Sequence, residues 1–166
     1  ATTKTLYQQC KQDWQIKDKE LKSLLGWAAL LHEVGLQINS RGVQRHSAYI
    51  LRNAELPGFN QEQQAFLATL VGCHRKKIKL EEIPQFQQFN YDETVKLITL
   101  LRLGVLLNLH RQDNLLPDIH CEAHNTHITL DFSGDWLNAS DLMKADLETE
   151  AQRLRIIGIE LNIKTS

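Results

Sequence analysis

Apolar residues recur at intervals of three and four through the first two thirds of the chain and at intervals of two through much of the last third. Leu6, Cys10 and Trp14 repeat every fourth position with polar residues between them, which predicts a helix over 3–17. A second helix, over 20–33, is apolar nearly all round (Leu24, Leu25, Trp27, Ala28, Ala29, Leu30, Leu31) and is expected to be the central buried one. Gly35 stands where a left-handed C-terminal cap would end it. A third helix, over 43–54, is stopped by Pro57-Gly58. A fourth, over 61–74, opens on Asn60 with Gln63 three residues on, a capping-box pair. A fifth, over 93–111, follows Asp92 and carries Ile98, Leu101, Val105 and Leu109 on one stripe. Between the last two, 78–91 holds Pro84 and three glutamines and predicts a loop with a short turn.

The period changes near Pro117. Ile119, Cys121 and Ala123 alternate with His120, Glu122 and His124; Ile128, Leu130 and Phe132 alternate with His127, Thr129 and Asp131. Asn125-Thr126 lies between the two runs, so they predict a β-hairpin. Ser140 is placed to cap a helix over 141–155 with Met143, Leu147, Ala151 and Leu154 inward, and Ile157, Ile159, Leu161 and Ile163 read as a last strand. The fold class is therefore mainly α: a helical domain over 1–115 followed by a small α+β unit (β-β-α-β) over 116–166.

Composition narrows this picture only a little. A chain of 166 residues with 42% apolar and 23% charged residues suits one ordinary core, or one with a small appendage. A net charge of -1 gives no global reason to expect nucleic acid or a membrane surface as partner. No apolar run approaches the length of a membrane span, and no signal-peptide pattern is present. Cys10, Cys73 and Cys121 are odd in number and far apart, which reads as small buried thiols in a reduced, cytoplasmic protein rather than a disulfide framework. The chain enters a helical pattern almost at once without a clear capping sequence, so a fragment of a longer polypeptide is expected, and a processed start would show the same pattern.

Three groups of residues could carry chemistry. The first is His32-Glu33. Adjacent His and Asp at a helix end bind a divalent metal in HD-type phosphohydrolases, where the metal activates water against a phosphate ester. Here Glu33 replaces the Asp, no His precedes His32, and the late helix offers the neutral Asn108. His32, Glu33 and Asn108 therefore read as a degenerate site with no metal bound. A hydrogen-bonded core histidine beside a paired carboxylate is the plainer reading, and a metal hydrolase rebuilt on His32, His46 and His74 is the alternative.

The second is local charge. Seven Lys/Arg (Arg41, Arg45, Arg52, Arg75, Lys76, Lys77, Lys79) fall between 41 and 79, with only Glu55 and Glu62 against them and with His46 and His74 added. Arg45-His46 opens a helix, where backbone N–H groups favour anions. HRKKIK closes another, where cations complement the dipole. The segment is either a solvated face or a surface for phosphoryl oxygens, which arginine forks and lysine point charges hold. The third group is His120, His124 and His127. Strand alternation puts His120 and His124 on one face, hairpin pairing would add His127, and Cys121 points the other way. A solvent-facing strand and a zinc site both fit, but no second Cys or His pair follows at finger spacing. There is no P-loop, GxGxxG, GxSxG or HExxH.

Together LLGWAALLHEVGLQI, RHSAYILRNAELPGFNQEQQ, HRKKIKL, LLRLGVLLNLHR and the late GDWL resemble the C-terminal region of the exopolyphosphatase/guanosine pentaphosphate phosphohydrolase family. The resemblance covers nearly the whole chain and is densest from Leu24 to Arg111. RHSAYIL and PGFNQEQQ are more similar to the exopolyphosphatase branch, DNLLPDI to the other. The resemblance implies an HD-like helical domain followed by a small α+β domain. It also implies a parent with two N-terminal actin-like lobes that hold the catalytic carboxylates and Mg2+. That parent would split terminal phosphoanhydrides of inorganic polyphosphate, and this region would lengthen its basic channel, contact those lobes and join a homodimer. On this reading the chain carries no catalytic residue and no cofactor. Arg41, Arg45, His46, Arg52, His74, Arg75, Lys76, Lys77 and Lys79 are the candidate polyphosphate ligands. Two alternatives stay open: an HD-type metal phosphohydrolase, and the C-terminal region of a guanosine pentaphosphate phosphohydrolase.

Overall fold

The computed structural model describes residues 2–10, 14, 19–38, 58–111, 119–132 and 141–165, apart from the side chains of 2, 4, 19, 32–38, 109–111 and 165. The elements are α1 (Thr2–Cys10), α2 (Lys19–Ile38), α3 (Gln61–Gly72), a 3-10 turn (Leu80–Glu82), α4 (Tyr91–Arg111), β1 (Ile119–His124), β2 (His127–Phe132), α5 (Asp141–Arg155) and β3 (Glu160–Thr165). The chain is mainly helical with a small three-stranded sheet, in the β-β-α-β order that the alternation predicts. The helix expected over 43–54 and the Ser140 cap lie outside the described residues. Packing divides the chain into two compact units, Asp18–Arg102 and Ala1–Lys17 with Leu103–Ser166. The sheet thus shares its unit with α1 and the end of α4, whereas the pattern alone divides the chain after residue 115.

In the first unit α2 packs against α3. Leu21, Leu24, Leu25 and Ala28 form its buried stripe at helical spacing. Trp27 and Leu30 stand 46% and 52% exposed, so α2 is not the helix buried all round that its composition predicts. Nor does Gly35 end it, because the backbone stays helical to Ile38. A glycine inside a helix costs only about 1 kcal/mol, too little to stop a twenty-residue helix.

Among the described residues the stretch of helix buried all round is in α4, whose residues from Thr94 to Val105 are all buried. Its polar members are each given a partner. Thr94 and Thr99 hydroxyls donate to the carbonyls of Asn90 and Val95, both at 2.8 Å. Lys96 Nζ meets Asp92 at 2.7 Å. Arg102 donates to two carbonyls described below. The start of α4 also differs from expectation. The helix begins at Tyr91 rather than 93, and Asn90 caps it, its Oδ1 accepting the Glu93 N–H at 2.6 Å. The predicted capping box at α3 is present: Asn60 Oδ1 accepts from Gln63 N–H at 2.7 Å and Gln63 Oε1 accepts from Asn60 N–H at 2.9 Å.

In the second unit the sheet order is β1-β2-β3. The hairpin pairs from Ile119↔Phe132 to His124↔His127, with Asn125-Thr126 as the turn and Asn125 at a φ of 52° that asparagine tolerates. β2 and β3 run parallel, joined through α5 as parallel strands require. Cys121, Ala123, Ile128, Leu130, Phe132 and Leu161 are buried on one face. α1 packs against β1 and α5 against β3. On α5 the inward stripe is Met143, Leu147, Glu150 and Leu154; Ala151, expected inward, is only half-buried. α1 is described from Thr2 to Cys10, and Trp14 is buried with its N–H donating to the Cys10 carbonyl at 2.9 Å; the rest of the helix expected over 3–17 lies outside the described residues. Gly104 of α4 lies against Thr3 of α1, where a Cβ would meet the Thr3 Cα at 2.8 Å, so only glycine permits this crossing.

Candidate functional site

The end of α3 exposes carbonyls without intrahelical partners and carries partial negative charge. Arg102, 2% exposed on α4, meets both demands. Its Nη1 donates to the Cys73 carbonyl at 2.6 Å and its Nη2 to the Lys76 carbonyl at 2.7 Å. A planar guanidinium fork suits two acceptors held side by side. The turn His74–Lys79 is therefore gripped from beneath. Ile78, 3% exposed, anchors it further. Lys76 takes a φ of 67°, a left-handed conformation that costs a non-glycine residue on the order of 1–2 kcal/mol.

This arrangement sorts the candidate phosphate ligands. Lys76 and Lys77 are exposed, and Arg75 and Lys79 are half-buried. His74 is buried at 2% with its Nδ1 on the Val71 carbonyl, so its ring faces into the unit, away from a solvent polyanion. Two carboxylates, Glu81 and Glu82, are exposed in the 3-10 turn that follows. Arg41, Arg45, His46 and Arg52 lie outside the described residues.

Sequence reasoning missed what supports this turn. Arg102 sits inside an apolar run, in the string LLRLGVLLNLHR, which marks the family but gives the arginine no role. Glu62, counted only as an opposing charge, accepts the backbone N–H groups of Gln87 and Gln88, the second at 3.0 Å. Phe66 stacks on Phe89 with centroids 4.3 Å apart and meets Phe86 edge-on at 5.3 Å. The segment 83–90 is thus pinned to α3 by its two phenylalanines, a signal visible as FQQF between Gln85 and Asn90.

The remaining candidates are less assembled. His32 and Glu33 lie on the backbone of α2 and their side chains are outside the described set; Asn108 is half-buried on α4, in the other packing unit. The hairpin does bring His120, His124 and His127 to one face, His124 directly opposite His127, with His120 Nε2 and Glu122 Oε1 3.2 Å apart. They border a cavity of about 450 Å3. Among the described residues no group of three or more His, Cys, Asp or Glu is arranged to hold a metal ion. Among the same residues no helix is long and apolar enough to cross a membrane.

The chain matches the model of the family described as Ppx/GppA phosphatase, domain III, over residues 1–151. It is similar to proteins named guanosine-5'-triphosphate,3'-diphosphate pyrophosphatase in three organisms. The Vibrio cholerae protein is 34% identical over 159 residues, covering 96% of this chain and 32% of the relative. The Vibrio atlanticus protein is 33% identical over 164 residues, covering 99% and 33%. The Pseudoalteromonas translucida protein is 31% identical over 158 residues, covering 94% and 31%. The chain spans about a third of the length of these curated relatives.

Proposed function

We propose, for a chain that belongs to the Ppx/GppA phosphatase family, that it is the C-terminal region of a phosphoanhydride hydrolase and meets that enzyme's phosphate-chain substrate at the turn Arg75–Lys79. One observation carries the reading. Lys76 and Lys77 face solvent on a turn that the buried Arg102 holds in place through two backbone carbonyls. A linear polyanion offers no base edges to read, and point charges on a fixed backbone suit it. Exposed Glu81 and Glu82 set a limit on the local potential, so binding calls on further bases, for which Arg41, Arg45 and Arg52 are the candidates.

The remainder of the protein would supply actin-like lobes with the catalytic carboxylates and Mg2+. Among the described residues no cluster fits that ion, and no reaction step is assigned to this chain. Contact with those lobes and homodimer formation complete the proposal; Trp27 and Leu30, exposed three residues apart on α2, are apolar surface available for either.

Two substrates share the required chemistry. The relatives' name favours guanosine-5'-triphosphate,3'-diphosphate, while RHSAYIL and PGFNQEQQ resemble the branch that acts on inorganic polyphosphate. Titrating this chain with each polyanion at low and raised salt tests the reading. Binding at low salt that collapses at raised salt is the expected result, and the tighter of the two ligands identifies the substrate. Absence of binding by both at low salt would refute it.

A further inference from the structure

We propose that Cys10 and Cys121 form a dithiol–disulfide couple, a site of covalent modification that fastens α1 to the sheet. Their Sγ atoms stand 2.8 Å apart, within about 0.8 Å of the length of an S–S bond. Both residues are buried, at 0% and 1% exposure. The approach is held by a second contact from the same turn of α1: Gln9 Oε1 accepts the Cys121 backbone N–H at 2.7 Å. Adjacent residues of one helix thus grip one strand residue through its backbone and through its sulfur. Cys121 belongs to the apolar face of β1, so its thiol is turned from the histidines on the opposite face. Cys73, the remaining thiol, is buried beyond the end of α3 in the other packing unit. Sequence alone shows nothing of this pairing, because the two cysteines are 111 residues apart and match no spacing motif.

The oxidant is a low-molecular-weight disulfide of the glutathione class. The Cys10 thiolate attacks one sulfur of that disulfide, its S–S bond breaks, and one small thiolate leaves. The Cys121 thiolate then attacks Cys10 Sγ in the mixed disulfide and expels the second small thiolate. Two protein thiols are oxidised, one small disulfide is reduced to two thiols, and the two protons from the protein end on those thiols. Burial makes both directions depend on α1 opening from β1, so exchange is slow in the folded chain and a bridge formed during folding persists.

The test is refolding of the whole chain from urea in a glutathione redox buffer, followed by thiol counting and peptide mapping. The expected product has one free thiol, Cys73, and a Cys10–Cys121 linked peptide. Its Tm lies roughly 10 °C or more above that of the reduced chain, as closure of a long loop predicts. The C73S variant is expected to form the same bridge and retain no free thiol. The C10A variant is expected to keep two. Three free thiols in the refolded wild type, or a bridge that uses Cys73, would overturn the proposal. If C10A does not fold, C73S decides alone, because both of its thiols must disappear into one bridge.

Discussion

Helices α2 and α4 invert the expectation their compositions raise. From Leu24 to Leu31 α2 is almost wholly apolar, yet it leaves Trp27 and Leu30 in solvent. α4 contains two threonines, a lysine and an arginine between Thr94 and Val105, yet every residue of that stretch is buried. The difference lies in what each polar group finds. Thr94 and Thr99 turn back on their own helix, Lys96 reaches Asp92, and Arg102 closes the end of α3. A buried polar group costs little once it is hydrogen-bonded, and a great deal when it is not. Local apolarity thus sets how much of a helix can be buried, while partners supplied elsewhere in the fold decide how much is.

Four substitutions test that contrast, from the largest effect to the smallest. R102A removes two charge-assisted bonds and leaves the Cys73 and Lys76 carbonyls without them, beside a cavity; urea unfolding is expected to show a loss of roughly 4 kcal/mol. A loss below about 1 kcal/mol would mean that the arginine is tolerated rather than needed. G104A drives a methyl into Thr3 and is expected to cost roughly 2–3 kcal/mol by the same measurement. K76G relieves the left-handed backbone and is expected to raise stability by about 1 kcal/mol while removing a charge, which separates the turn's shape from its electrostatics. L30Q, on the exposed face of α2, is expected to change stability by less than about 0.5 kcal/mol. A larger loss would show that this face is covered in solution.

What was legible in the sequence was local. The Asn60–Gln63 capping box spans four residues, and the hairpin register follows from alternation and a two-residue turn, so both stand as read. The family too was legible, because its strings are long and ordered. Gly35 misled because the backbone that follows it stays helical to Ile38. The support of the basic turn was hidden for a different reason: Arg102 lies 26 residues beyond Lys76, and Phe86 and Phe89 meet Phe66 across a loop. Such contacts exist only in three dimensions. His74 shows the same limit from the other side, since a histidine at the head of a basic run reads as surface until the fold turns it inward.

The most direct measurement is the slope of log Kobs against log salt for long-chain polyphosphate, taken on the wild type and on a K76A/K77A double variant. Each phosphate contact on a single-stranded polyanion contributes about 0.7 to that slope. If Lys76 and Lys77 each hold a phosphoryl group, the variant's slope is shallower by about 1.4 and its affinity falls most at low salt. Equal slopes would contradict the account, because the polyanion would then be bound without the turn that Arg102 holds.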